Sequence, residues 1–226
     1  MKPWVVVERT RTSDGIELTL TRHTSEYAIL ADGHSLMSSR VHGSEDALAV
    51  LGCRHARALP RSRVLVGGLG MGFTLRAALD VLPPSARILV AELVPAVVEW
   101  NHGPLGALAK HPLDDPRVRI DACDVGVTMR SSPGRFDAVL LDVDNGPLAL
   151  TASSNAGLYN DRGIATTRAS LRPGGVLAVW CAREDRRFER RLRTVGFEVH
   201  RERVSGRLKK GGPRHTILLA HNGGAL

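Results

Sequence analysis

The first forty residues alternate short apolar runs with polar turns, which is typical of antiparallel strands. Three stretches rich in β-branched and other apolar residues predict strands: PWVVVERT, GIELTLTRH and EYAILADGHSLMSS. Asp14-Gly15 and Asp32-Gly33 favour the positive φ of tight hairpin turns. We therefore expect a small antiparallel β-ribbon over residues 1–43.

A helix is predicted directly after this ribbon. Ser44 is a favoured N-cap residue, and the acids Glu45 and Asp46 interact favourably with the positive end of the helix dipole. The predicted helix runs to about Leu59 and ends at Pro60.

From Arg63 onward the pattern becomes an alternation of strands and helices. Nearly continuous apolar runs predict strands at 63–68, 86–93, 117–124, 136–144 and 174–182. Helices are predicted between them at 72–82, 95–110, 160–171 and 184–195. This alternation predicts an α/β fold with a Rossmann-like, doubly wound and mostly parallel sheet. The last stretches, 197–204 and 214–222, are predicted to add an antiparallel pair.

The turn after the first of these strands is rich in glycine. In RVLVGGLGMGFTLRAAL, Gly67 precedes the spacing Gly-x-Gly-x-Gly at Gly68, Gly70 and Gly72. The dinucleotide spacing Gly-x-Gly-x-x-Gly is absent, which argues against NAD. The observed spacing favours a fold that binds a nucleosyl-methionine at the helix N-terminus. A purely structural strand-to-helix turn is the alternative.

Acidic residues stand at the predicted ends of the next strands. Because the carboxyl ends of parallel strands form the ligand crevice, Glu92, Asp124, Asp142 and Asp144 are expected to converge. Glu92 is placed to accept the two hydroxyls of a ribose, and Asp124 to accept from an adenine amino group. A solvated acid at a strand end is the alternative for Glu92.

The two acids at the end of the fourth strand suggest proton transfer. Alternation along a strand places Asp142 and Asp144 on the same face. Two nearby carboxylates repel, which raises the pKa of one and suits it to accept a proton from a substrate. For Asp144, capping of the following Asn145-Gly146-Pro147 turn is the alternative.

Composition, charge and cysteine spacing exclude several classes of protein. The chain has 226 residues, 43% of them hydrophobic, and 31 Lys plus Arg against 23 Asp plus Glu give a net charge of +8. These values exclude an acidic disordered chain, and no apolar run reaches the roughly 20 residues of a membrane span. Cys53, Cys123 and Cys181 are far apart, so we expect neither a disulfide framework nor a zinc site, and a cytoplasmic location.

Basic residues concentrate near the C-terminus. They are Arg183, Arg186, Arg187, Arg190, Arg191, Arg193, Arg201, Arg203, Arg207, Lys209, Lys210 and Arg214. This pattern allows a nucleic-acid partner. We favour a solvated face, because neighbouring acids compensate part of the charge and only 4% of the residues are aromatic, which leaves few stacking platforms.

The motifs taken in order resemble the spermidine synthase (polyamine aminopropyltransferase) family, a branch of the class I S-adenosylmethionine-dependent methyltransferase-like fold. LADGHSLMSSRVHGSEDAL, VGGLGMG and LLDVDNGP are similar to the family's linking segment, glycine motif and catalytic loop. The resemblance implies that Glu92 binds the ribose and Asp124 contacts the adenine. It also implies that Asp142, with Asp144 secondary, deprotonates and positions the amine nucleophile.

Two residues depart from the family's pattern. Gly70 stands where the family has an aspartate that holds the donor's amino group, and its loss removes a charge-assisted bond of about 1.5–3 kcal/mol. Asn145 stands where a second aspartate contacts the polyamine. By position, Tyr159 is expected either to orient the acceptor or to pack as a core aromatic. The departures at Gly70 and Asn145 point away from strict spermidine synthesis and toward methyl transfer, or transfer to an unfamiliar acceptor.

The sequence therefore predicts an S-adenosylmethionine-dependent group transferase without a metal, in which methyl transfer to a small acceptor is preferred. One alternative is aminopropyl transfer from decarboxylated S-adenosylmethionine to a polyamine. A second is a non-catalytic nucleoside- or nucleic-acid-binding protein. Residues 44–226 are expected to form the nucleoside-binding domain, and the N-terminal ribbon to pair two chains into a homodimer.

Overall fold

The computed structural model describes residues 3–143, 156–207 and 212–223. Its N-terminal part is an antiparallel sheet of four strands in sequential order. These are β1 (Val5–Arg11), β2 (Glu17–His23), β3 (Glu26–Ala31) and β4 (His34–Ser38). The third predicted strand is divided at Asp32 and Gly33, whose φ angles of 45° and 79° form the predicted turn.

The second sheet has seven strands in the order β10-β11-β9-β8-β5-β6-β7. They are β5 (Arg63–Gly67), β6 (Arg87–Ala91), β7 (Val118–Asp121), β8 (Phe136–Leu141), β9 (Leu171–Cys181), β10 (Glu198–Ser205) and β11 (Arg214–His221). Neighbouring strands from β5 to β9 pair in parallel, while β11 pairs antiparallel with both β9 and β10. The predicted α/β fold is confirmed.

Seven helices accompany this sheet within the described residues. They are α1 (Gly43–Gly52), α2 (Phe73–Val81), α3 (Pro95–His102), α4 (Val125–Arg130), α5 (Ala156–Tyr159), α6 (Asp161–Ser170) and α7 (Arg186–Thr194). None of them is long and apolar enough to cross a membrane. The short helices α4 and α5 were not predicted, because four to six residues show too little of the helical period.

Two predicted helices differ in their ends. The first helix ends at Gly52 rather than at about Leu59, and a separate 3₁₀ turn follows at Ala56–Ala58. Its N-cap is His42, so the prediction that Ser44 caps it is wrong. The predicted helix 95–110 ends at His102, because Gly103 leaves helical geometry with a ψ of −117°.

Both faces of the large sheet are covered, as its continuous apolar strands predict. In β5, Val64 and Val66 belong to one buried cluster and Leu65 to the other. The first cluster also contains Leu20 and Ile29 of the N-terminal sheet, so that sheet shares a core with the larger one. The domain boundary between residues 43 and 44 stays a prediction.

Candidate functional site

The glycine turn between β5 and α2 has the left-handed backbone that its spacing predicts. Gly68, Gly70 and Gly72 have φ angles of 85°, 52° and 81°. A Cβ at Gly68 would lie 2.6 Å from the carbonyl oxygen of Asp142, and one at Gly70 would lie 2.7 Å from Cε of Met37. The turn therefore needs glycine for its conformation and for the close approach of its neighbours.

Gly67 has a different role, because it is the last residue of β5 rather than part of the turn. A Cβ there would lie 2.9 Å from Cγ2 of Val125, the first residue of α4. This glycine allows α4 to pack closely on the end of the sheet.

A cavity of about 190 Å³ lies between the carboxyl ends of the parallel strands and the N-terminal sheet. Its walls include Gly68, Gly70, Glu92, Asp124 and Asp142. Three of the four acids predicted from strand ends therefore converge on one space. The N-terminal sheet closes the cavity from the other side with Asp14, Ile16, Leu36 and Met37.

Glu92 is fixed at the end of β6 by the backbone. It is 8% exposed, its Oε2 accepts a 2.8 Å bond from the Leu69 amide, and its Oε1 accepts a 2.8 Å bond from the Val94 amide. The carboxylate thereby ties the glycine turn to the neighbouring strand and faces the cavity in one orientation. Its contact with a ribose stays a prediction.

Asp124 lies just beyond β7 and is the N-cap of α4. Its Oδ1 accepts a 3.1 Å bond from the Val127 amide. Asp124 therefore both caps α4 and lines the cavity, and its neighbour Cys123 also lines the cavity. Its contact with an adenine stays a prediction.

Asp142 directly follows β8 and lines the cavity. Its Oδ2 accepts a 2.6 Å bond from the hydroxyl of Thr74, on the first turn of α2. Burial raises the pKa of Asp142 to about 6, although the Thr74 bond acts in the opposite direction. A carboxylate with this pKa is suited to exchange a proton near neutral pH.

Glu45 is a site residue that the sequence reasoning missed. It lies in the first turn of α1, is 7% exposed and lines the same cavity as Asp142. Burial, followed by the charge of Asp142, raises the pKa of Glu45 to about 7, while the 2.6 Å bond from Ser44 Oγ lowers it. The available signal was its spacing from Leu48 and Ala49, which places an acid on the apolar face of the helix.

The cavity wall is strongly acidic. Its carboxylates are Asp14, Glu45, Glu92, Asp124 and Asp142, and no Lys, Arg or His is among the described residues that line it. This contrasts with the net charge of +8 for the whole chain. An acidic cavity with apolar walls attracts cations and repels carboxylates.

The remaining predicted site residues are Asp144, Asn145 and Tyr159. Asp144 and Asn145 lie outside the described residues. Tyr159 is buried, with its ring edge-on to Phe188 at 5.3 Å between centroids, and it is not among the residues that line the cavity. Its environment matches the packing alternative, and its contact with an acceptor stays a prediction.

The basic C-terminal region carries its own counter-charges. Glu184 pairs with Arg201 at 2.9 Å and with Arg203. Asp185 caps α7 by accepting bonds from the amides of Arg187 and Phe188. These contacts agree with the favoured interpretation of a solvated, partly compensated face, and a nucleic-acid partner stays an untested alternative.

Comparison with known proteins relates this arrangement to solved structures. No family model and no curated protein matches the chain. A spermidine synthase in complex with the transition-state analogue AdoDATO is 18% identical, with a TM-score of 0.75 over 96% of this chain and 72% of that one. Spermidine synthase from Thermotoga maritima is 19% identical, with a TM-score of 0.76 over 96% and 73%.

A third structure, a probable spermidine synthase from Corynebacterium glutamicum, is 18% identical. Its TM-score is 0.66, and the match covers all of this chain and 82% of that one. At these identities the likeness establishes the fold. The chain therefore has the spermidine synthase-like fold of the class I S-adenosylmethionine-dependent methyltransferase type.

Proposed function

We propose that this protein transfers an aminopropyl group from decarboxylated S-adenosylmethionine to an amine. The observation that carries the proposal is the acidic cavity wall, in which five carboxylates face the cavity and no basic side chain is among its described residues. The fold shared with spermidine synthases points the same way. The methyl transfer preferred from the sequence has no support from those comparisons.

Charge discriminates between the two donors. Decarboxylated S-adenosylmethionine has a sulfonium and an ammonium, whereas S-adenosylmethionine has an additional carboxylate. Near the glycine turn that carboxylate would meet Glu45 and Asp142, with no cation on the described wall to pair with it. The preference for methyl transfer rested on the acids missing at Gly70 and Asn145 and, for the donor, on the loss at Gly70. The five carboxylates of the wall, Glu45 and Asp142 among them, keep the cavity negative despite that loss.

The described residues suit the parts of such a donor. Glu92 is oriented to accept from ribose hydroxyls, and Asp124 lies at the neighbouring strand end, where an adenine amino group would be met. Gly68 and Gly70 line the cavity, so the backbone of the turn borders the space that the nucleoside would fill. When bound, the donor supplies a carbon already activated by its sulfonium.

The protein's main task is then to align the acceptor and to accept a proton. Asp142 lines the cavity, and its raised pKa lets it take the proton of an amine close to neutral pH. The bond from Thr74 holds this carboxylate in one orientation. No metal is needed for this chemistry.

Incubation with each donor and 1,4-diaminobutane, followed by mass spectrometry, tests the proposal. We expect an aminopropylated amine from decarboxylated S-adenosylmethionine, and turnover reduced about 100-fold or more in Asp142→Asn. A methylated product from S-adenosylmethionine, with no product from the decarboxylated donor, would show the proposal to be wrong.

A further inference from the structure

Glu45 and Asp142 are held in similar ways from two different elements. One oxygen of each accepts a 2.6 Å bond from a hydroxyl: Ser44 donates to Glu45 Oε2, and Thr74 donates to Asp142 Oδ2. Thr74 Oγ1 also lies 3.4 Å from the carbonyl oxygen of Glu45, which connects α1 to the end of β8. Within the described residues, neither carboxylate makes a further side-chain hydrogen bond.

Neither carboxylate has a counter-ion among the described residues. His42, whose charge acts on Glu45, forms its ion pair with Asp46 at 3.0 Å and stacks on Phe73. On α2, which packs against α1, Arg76 pairs instead with Asp80 at 2.7 Å. Burying two ionised acids without a cation costs free energy. A cationic ligand between them is therefore attracted by both carboxylates at once.

We propose that Glu45 is a second acceptor-binding carboxylate, which together with Asp142 clamps the reacting nitrogen of the amine. This inference rests on the proposed function. In the ground state the two carboxylates bind the ammonium from two sides of the cavity. Glu45 thereby selects a cationic amine over a neutral or anionic acceptor.

The clamp also accounts for the charges during transfer. The ammonium gives one proton to Asp142, and the freed lone pair on nitrogen forms the new bond to carbon. The carbon–sulfur bond breaks and its electron pair stays on sulfur, so the sulfonium becomes a neutral thioether. The product is a secondary ammonium, whose positive charge Glu45 continues to balance.

Steady-state kinetics of Glu45→Gln with 1,4-diaminobutane test the clamp. Loss of a charged hydrogen bond predicts a KM for the amine about 10-fold higher or more, with the KM for the donor within about 2-fold. Asp142→Asn removes the proton acceptor as well as one side of the clamp, so it is expected to lower kcat in addition to raising the KM for the amine. Glu99→Gln is the matched control, because Glu99 is exposed on α3 and does not line the cavity.

The pH profile gives an independent readout. In the wild type, the KM for the amine should fall as the pH rises and the two carboxylates ionise. In Glu45→Gln one of these ionisations should disappear, whereas the Glu99→Gln profile should match the wild type.

The outcomes separate the clamp from the proposed function. If the wild type transfers the aminopropyl group but Glu45→Gln leaves the amine KM and the pH profile unchanged, the clamp is wrong and the function stands. If the wild type transfers nothing, the proposed function fails. The clamp is then tested by calorimetry, which measures the affinity of each variant for 1,4-diaminobutane. Weaker amine binding by Glu45→Gln than by Glu99→Gln would support it, and no binding by the wild type would overturn it.

Discussion

The thioether of Met37 occupies the space that a side chain at residue 70 would take. A Cβ on Gly70 would lie 2.7 Å from Cε and 2.9 Å from Sδ of Met37. The resemblance to the spermidine synthase family implies an aspartate at this position. Here an apolar group from β4 lies there instead, and the carboxylates of the cavity wall are Asp14, Glu45, Glu92, Asp124 and Asp142.

Restoring that carboxylate should strengthen binding of the aminopropyl donor. Gly70 has a φ of 52°, which an aspartate tolerates better than most residues, and shortening Met37 removes the clash. We expect Met37→Ala/Gly70→Asp to bind decarboxylated S-adenosylmethionine about 10-fold more tightly than Met37→Ala alone. Isothermal titration calorimetry measures this. Equal affinity of the two variants would place the donor's amino group elsewhere.

The glycine turn should tolerate no side chain at Gly68. Gly68→Ala adds both the strain of a φ of 85° and a Cβ 2.6 Å from the backbone oxygen of Asp142. Gly33→Ala is a matched control, since its φ of 79° imposes similar strain but no atom lies within 4 Å of the new Cβ. We expect Gly68→Ala to lose at least about 1–3 kcal/mol more of unfolding free energy than the control. Urea denaturation gives this difference, and equal losses would contradict the close approach.

Removing the Glu45 carboxylate should stabilise the fold at alkaline pH. Burial raises the pKa of Glu45 from its ordinary value of 4.5 to about 7, so the folded protein resists an ionisation that the unfolded chain undergoes freely. The stability associated with the neutral acid is complete below pH 4.5 and is lost as the pH rises through about 7.

Glu45→Gln stays neutral, so its advantage over the wild type should grow between pH 5 and pH 8. We expect an advantage of about 1–3 kcal/mol at pH 8, which corresponds to several degrees in Tm. Thermal unfolding across this range measures it, with Glu99→Gln as the control. A constant difference in Tm between pH 5 and pH 8 would show that Glu45 is not buried in its charged form.

The predicted homodimer can be tested at the edge of the N-terminal sheet. β1 is an edge strand of this sheet. Val5, its first residue, is 55% exposed, and Trp4, which precedes it, is 49% exposed. An exposed apolar edge favours pairing with a second strand, whereas a lysine opposes it. We expect a dimer by analytical ultracentrifugation and a monomer for Val5→Lys. A monomeric wild type would show the prediction of a homodimer to be wrong.

The strand ends could be predicted because they depend on local pattern. Continuous apolar runs predicted where each strand lies along the chain. The acid that follows each run was enough to predict that Glu92, Asp124 and Asp142 line one cavity. Glu45 was missed because an acid in the first turn of a helix is ordinary in sequence. Only the packing of α1 against α2 and β8 turns it toward the cavity.

Contacts between distant segments account for the other differences. Tyr159 comes after β8 in the sequence and was expected either near the acceptor or in the core. The structure places it in the core, where α5 packs its ring against Phe188. The contact of Met37 with Gly70 joins residues 33 positions apart, and no periodicity predicts it. The preference for methyl transfer rested on two missing acids, at Gly70 and Asn145, and it overlooked the acid that α1 supplies.

Calorimetric titration of the wild-type protein with the two donors tests the central claim, that the acidic cavity selects a donor without a carboxylate. We predict that decarboxylated S-adenosylmethionine binds at least about 10-fold more tightly than S-adenosylmethionine at pH 8. Equal binding of the two donors, or tighter binding of S-adenosylmethionine, would contradict it.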